Sequence, residues 1–105
     1  MQDSKKNIVK ILCTNPNTAG QINIDKNIYD LFSDAIIHTL KKTDLLTYTE
    51  MVRGVKKYLS ATRHSFKGSV GWYAVVIKND LHFKGIIEVI SDKGKKLHRL
   101  VKVAN

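Results

Sequence analysis

The stretch from Ser69 to Val103 constrains the fold of this chain more than any other part of its sequence. Ser69 can cap a helix, because its hydroxyl can accept a hydrogen bond from an unpaired first-turn amide. Gly85 can end that helix, since glycine readily adopts the left-handed backbone that closes a helix. Two short apolar and β-branched runs follow, at 86–90 and 97–103, with six residues rich in lysine between them. The stretch therefore predicts a helix over 69–84 followed by a β-hairpin.

This helix has a wide apolar face and a narrow, largely polar strip. At 100° per residue, Trp72, Val76 and Phe83 widen an apolar arc that has core spacing. We expect Trp72 to pack against the protein rather than to stack on a base. Most polar helix faces are simply solvated, and that alternative stays open for the strip. Its members are Gly71, Val75, Lys78, Asn79 and His82.

Two helices are predicted upstream. Asp25 or Asn27 can cap a helix over about 26–42, in which apolar residues recur at helical spacing. The sequence 47–50, Thr-Tyr-Thr-Glu, is a capping box and opens a second helix that ends near residue 60. Gly54 inside this second helix costs about 1 kcal/mol relative to alanine, which indicates close packing against a neighbour.

The rest of the chain predicts short strands and turns. An edge strand is expected over 7–14, a turn over 15–20 and a short strand around 45–47. Cys13 is the only cysteine, so no intrachain disulfide can form and a reducing compartment is expected. No segment approaches the roughly 20 apolar residues of a membrane span. We therefore predict a soluble, cytoplasmic protein that does not bind membranes.

The charge of +9 is unevenly distributed along the chain. Residues 1–42 contain six Lys or Arg against four Asp or Glu, whereas residues 43–105 contain twelve against five. Basic charge therefore accompanies the helix and hairpin of the C-terminal part, as is typical of proteins that bind a polyanion.

Catalytic and metal-binding motifs are missing from the sequence. The four histidines have neither H-E-x-x-H nor zinc spacing, and there is no P-loop, G-x-G-x-x-G or G-x-S-x-G. We predict no enzymatic activity, metal, cofactor or small-molecule ligand.

The order of the predicted elements resembles that of winged helix-turn-helix domains. In that superfamily a Leu-x-x-x-Gly-(Leu/Ile)-Ile segment closes the recognition helix and opens the wing, and residues 81–87 are Leu-His-Phe-Lys-Gly-Ile-Ile. The chain is also similar to a small bacterial family of uncharacterised single-domain proteins, in Asn-Pro-Asn at 15–17, Ile-Asp-Lys at 24–26 and Gly-Trp-Tyr at 71–73. The resemblance implies an α+β winged helix over 25–103, in which a three-helix core carries a C-terminal β-hairpin wing. Residues 1–24 would be an N-terminal extension.

The resemblance implies duplex DNA as a partner and a role as a small transcriptional regulator. The helix over 69–84 would enter the major groove, and the basic wing over 91–99 would contact phosphates or the minor groove. The strip lacks arginine, the commonest reader of guanine, which argues against strong sequence specificity. The predicted nucleic-acid contacts are Arg63, Lys67, Ser69, Lys78, Asn79, His82, Lys93, Lys95, Lys96 and Arg99.

The alternative is a winged-helix module that binds a protein partner or forms a homodimer without binding DNA. Trp72, Val75 and Phe83, or else Tyr29 and Ile37, would then form the contact. The two functions are compatible if a homodimer binds DNA.

Overall fold

A computed structural model describes residues 9–64 and 66–102 of the chain. Within these residues the fold contains three α-helices and two antiparallel β-hairpins, which confirms the predicted α+β class. The elements in chain order are β1 (Lys10–Thr14), β2 (Gln21–Asp25), α1 (Lys26–Lys42), α2 (Tyr48–Ala61), α3 (Val70–Phe83), β3 (Ile87–Asp92) and β4 (Lys95–Leu100).

The three helices begin and end close to where the sequence predicts. Thr47 and Glu50 form both hydrogen bonds of the capping box at the start of α2. The Ser69 hydroxyl accepts a hydrogen bond of 3.1 Å from the backbone N–H of Trp72 at the start of α3. Asp25 stands at the N-cap of α1, but its side chain makes no capping hydrogen bond. Gly85 has φ of +78°, as expected for a helix-terminating glycine.

The N-terminal hairpin was only half predicted. β1 occupies the described part of the expected edge strand, and the turn after it is present, but β2 was not predicted. β2 has only five residues of mixed polarity, which is too short a run to show a clear strand periodicity. The hairpin packs against α1 and α3, and Cys13 and Ile24 lie in the same core as the helices. The strands are therefore not confined to the C-terminal part of the chain.

The C-terminal hairpin has a tighter turn than the sequence predicted. The expected six-residue connection is only Lys93-Gly94, because β3 extends to Asp92 and β4 begins at Lys95. Lys93 and Gly94 have φ of 51° and 82°, the positive values that a two-residue hairpin turn requires. Residue 103, the predicted end of the second strand, lies outside the described residues.

The connection between α1 and α2 is joined to β4. The strand expected around 45–47 is a single antiparallel bridge, in which Leu46 and His98 exchange backbone hydrogen bonds of 3.1 and 2.8 Å. This bridge fixes the position of the C-terminal hairpin relative to the start of α2.

The long connection between α2 and α3 is held by an aromatic cluster. The ring of Phe66 lies 5.0 Å from that of Phe32 on α1 and 5.1 Å from that of Tyr73 on α3. The core that these rings adjoin is formed mainly by α1, α2 and α3. None of the helices described has the length and apolar content needed to cross a membrane.

Candidate nucleic-acid interface

The C-terminal half of α3 and the middle of β4 bring four basic side chains together. Lys78, His82 and Lys96 each lie close enough to His98 to lower the pKa of its imidazole, and Lys96 lies close enough to Lys78 to lower the pKa of its ammonium group. Two of them come from a helix and two from a strand, and the Leu46–His98 bridge holds that strand in place. We call these four residues the basic cluster.

His98 is the buried centre of the basic cluster. Its side chain is almost fully enclosed, and its Nδ1 lies 2.9 Å from the carbonyl oxygen of Leu46. That oxygen can only accept a hydrogen bond, so Nδ1 carries the proton and donates it. Burial, and then the charges of Lys78, His82 and Lys96, lower the pKa of His98 against the opposing effect of this hydrogen bond. The imidazole is therefore held in its neutral form at pH 7.

Lys78 is the half-buried cation of the basic cluster. Burial lowers the pKa of its ammonium group, and the nearby charge of Lys96 lowers it further. Within the described residues neither Lys78 nor Lys96 forms an ion pair. Like charges held together without a carboxylate are unfavourable, and a bound anion would relieve their repulsion.

The other cations of the C-terminal hairpin differ in whether a carboxylate already neutralises them. Arg99 is paired with Glu88 on the neighbouring strand at 2.5 Å, so a carboxylate already neutralises it. Lys93 is exposed at the tip of the turn, and Lys95 is exposed at the start of β4. Lys95 also lies close enough to Glu50 to help lower the pKa of that carboxyl group.

The remaining predicted contacts lie in the connection before α3, at the start of α3, or on α3 outside the basic cluster. Arg63 and Lys67 are exposed in the connection that precedes it. The Ser69 hydroxyl is occupied by its capping hydrogen bond, although the residue is exposed. Asn79 lines a small cleft between α3 and the β1–β2 hairpin, together with residues such as Thr14. The Asn79 side chain therefore lies away from the basic cluster.

The face of α3 that is exposed differs from the predicted one. The predicted polar strip is half-buried along its whole length, whereas Trp72 and Phe83 are 44% and 57% exposed. Trp72 was expected to pack against the protein, and its ring contacts that of Tyr73 edge-on, but much of the residue is exposed. Phe83, which was grouped with the apolar arc, is more exposed still. The exposed face differs because the N-terminal hairpin and the β3–β4 hairpin both pack against α3. They cover the predicted strip and leave exposed part of the face that helical periodicity had assigned to the core.

Tyr29 is buried, so the suggestion that it contacts another protein is wrong. Its hydroxyl donates a hydrogen bond of 2.6 Å to Asp80 of α3. Asp80 is fully buried, accepts a second hydrogen bond of 3.0 Å from the backbone N–H of Thr14, and pairs with Lys84 at 2.6 Å. This polar centre was missed by sequence reasoning, because its members are far apart in the chain and an aspartate in a helix usually faces solvent.

Cys13 is buried in the core of the fold. Burial raises the pKa of the Cys13 thiol to about 11, so the group is protonated at pH 7 and is a poor nucleophile. Among the described residues, no three His, Cys, Asp or Glu side chains come together to hold a metal ion.

The fold and the basic cluster define a small α+β domain with a cationic junction between a helix and a β-hairpin. The chain belongs to a family of unknown function, DUF6958, whose model matches residues 10–97. The matched residues include both hairpins and all three helices described above, apart from the end of β4. No curated protein sequence and no solved structure matches the chain.

Proposed function

We propose that this protein is a winged-helix domain that binds duplex DNA through the basic cluster and the β3–β4 hairpin. The observation that carries the proposal is the convergence of Lys78, His82 and Lys96 around His98, with no carboxylate of the described residues paired to them. Three further features support a winged helix: the capped α2, the short bridge of Leu46 to β4, and the hairpin that directly follows α3.

The contacts proposed for this mode are mainly to phosphate. Lysine is a compact charge suited to phosphate, whereas direct reading of guanine usually uses arginine. Arg99, the one arginine of the hairpin, is already paired with Glu88. We therefore propose binding with weak sequence preference, in which Lys78, Lys96 and Lys93 supply most of the charge.

The test is a fluorescence anisotropy titration of labelled duplex DNA at several salt concentrations. If about five phosphates are neutralised, log K should fall with log salt at a slope of about −4 to −5. The variant Lys78→Ala/Lys96→Ala should weaken binding to all sequences alike and reduce the slope by about 2.

The matched control is Lys10→Ala/Lys26→Ala, which removes the same net charge from the N-terminal part of the fold. These two lysines are paired with Asp25 and Asp30 and lie outside the basic cluster. The control should bind DNA almost as well as the wild type. Absence of binding at low salt, or equal loss in the two double variants, would reject the proposal.

A second candidate function, a protein-interaction or dimerisation module, is favoured by the exposed aromatic residues of α3. Trp72 and Phe83 are eleven residues apart, so they lie on one side of the helix about 16 Å from each other. Exposed aromatic side chains are enriched at protein interfaces. Sedimentation velocity at high concentration tests this function: a dimer that Trp72→Ala dissociates would support it, and a monomer would reject homodimerisation.

A further inference from the structure

A cleft between α1 and α2 is separate from the basic cluster. It has a volume of about 590 Å³, within the range of small-molecule sites in proteins. It runs along the contact between the two helices and reaches the α1–α2 connection at Leu46. No part of the proposed DNA contact on α3 lines it.

The shape of the cleft depends on Gly54. A Cβ atom built at Gly54 would lie 2.3 Å from Cγ2 of Thr39 on the facing helix, which is far inside van der Waals contact. The Thr39 hydroxyl donates a hydrogen bond of 2.7 Å to the carbonyl oxygen of Ala35, so this side chain is held in place. The absence of a side chain at Gly54 lets the helices approach closely there, and longer side chains form the walls.

Three cations line the cleft. Lys42 comes from the end of α1, and Arg53 and Lys57 come from α2. Within the described residues none of the three forms an ion pair. Glu50 is the one carboxylate that the described residues contribute to the lining, and it is occupied by the capping box at Thr47, whose hydrogen bonds lower the pKa of that carboxyl group. The lining therefore has an excess of two positive charges.

The far end of the cleft is aromatic. The rings of His38 and Tyr58 lie 5.0 Å apart at an angle of 48°, one from each helix. Ala61, the last residue of α2, adds apolar surface to the lining. A flat ring can pack against such a wall while a charged group reaches the cations.

From these features we infer that the cleft binds a small organic phosphate that carries a flat ring, such as a nucleoside monophosphate. A phosphate monoester carries a charge of about −1.5 to −2 at pH 7, which matches the excess charge of the lining. Arg53 can hold the phosphate through two parallel hydrogen bonds, and Lys42 and Lys57 add point charges. The His38–Tyr58 end takes the ring.

The test is isothermal titration calorimetry of the full chain at low salt with AMP, GMP, adenosine and inorganic phosphate. At least one nucleotide should bind at least tenfold more tightly than inorganic phosphate or adenosine. Arg53→Ala/Lys57→Ala should weaken nucleotide binding at least tenfold. Lys56→Ala, which removes an exposed lysine of the same helix outside the cleft, should change it less than twofold.

A two-dimensional amide NMR spectrum locates the ligand. The Gly54 amide should shift with the nucleotide, both in the wild type and in Lys78→Ala/Lys96→Ala, so failure of DNA binding would leave this result intact. The inference is overturned if no nucleotide binds, if inorganic phosphate binds as tightly as the nucleotides, or if only a DNA duplex shifts Gly54. Unfolding curves of the Arg53→Ala/Lys57→Ala variant show whether a loss of binding reflects a loss of folding.

Discussion

Replacement of Asp80 by alanine should be among the most damaging single substitutions in this protein. The carboxylate is fully buried and joins three parts of the chain: β1 through Thr14, α1 through Tyr29 and the end of α3 through Lys84. Asp80→Ala removes the acceptor from all three donors at once.

The loss of unfolding free energy in Asp80→Ala depends on whether each of the three donors can find another hydrogen-bond partner. Lys84 is 40% exposed at its side chain, so its ammonium group can turn to water and contributes little. The Tyr29 hydroxyl is buried and the Thr14 amide is partly buried, and each unsatisfied donor costs about 1–3 kcal/mol. Release of the buried charge from its desolvated site offsets part of this loss. We expect a destabilisation of about 3–4 kcal/mol.

Urea unfolding followed by circular dichroism measures this change. With a slope of about 1–3 kcal/mol per M, the midpoint should fall by about 2 M urea. The control is Asp34→Ala, which removes an exposed aspartate from the middle of α1 and should cost less than about 0.5 kcal/mol. Hydrogen exchange should also show lost protection at the Thr14 amide in Asp80→Ala. A loss below about 1 kcal/mol with Thr14 still protected would refute the reasoning.

The same polar centre should lose stability in alkaline solution. Burial and the hydrogen bond to Asp80 raise the pKa of Tyr29 from 10.0 to about 12. The folded state therefore holds this proton more tightly than the unfolded state does, so the contribution is complete below pH 10 and is lost as pH rises towards 12. Tyr29→Phe should show a smaller decline in unfolding free energy over this range, and an equal decline would contradict the assignment.

Three further substitutions test other parts of the fold by urea unfolding. Because the folded pKa of His98 is below its usual 6.5, the wild type should lose stability as pH falls from 7.5 to 5, and His98→Gln should lose less over the same range. Thr47→Ala should cost about 1 kcal/mol by removing the capping box, whereas Thr49→Ala, two residues further on and inside the helix, should cost less. Gly54→Ala should destabilise the protein by about 1–3 kcal/mol despite its better helix propensity, and adding Thr39→Ala should recover most of that loss. A pH-independent His98 effect, equal threonine costs or a stabilising Gly54→Ala would each contradict the structure.

The order of the helices could be predicted because their signals are local. The capping box at Thr47, the hydroxyl of Ser69 and the glycine at 85 act on backbone groups within a few residues, so sequence spacing describes their geometry directly. The close approach at Gly54 was also visible, since glycine inside a helix has a cost that packing must offset. The partner of that approach, Thr39, could not be found without the fold.

The candidate site could be predicted only in part, because it combines residues that are distant in sequence. Helical periodicity placed Lys78 and His82 on one strip, but it could not place Lys96 and His98 beside them. That meeting depends on the turn at Lys93-Gly94, which sets the register of β4.

The sequence by itself determined the three helices, the hairpin after them and the concentration of positive charge in the C-terminal part of the chain, because propensity, capping and charge are properties of neighbouring residues. The tertiary structure alone decided which face of α3 is exposed, which cations are paired and where the buried charge of Asp80 is placed. These depend on contacts between residues distant in sequence, and above all on the packing of the two hairpins against α3.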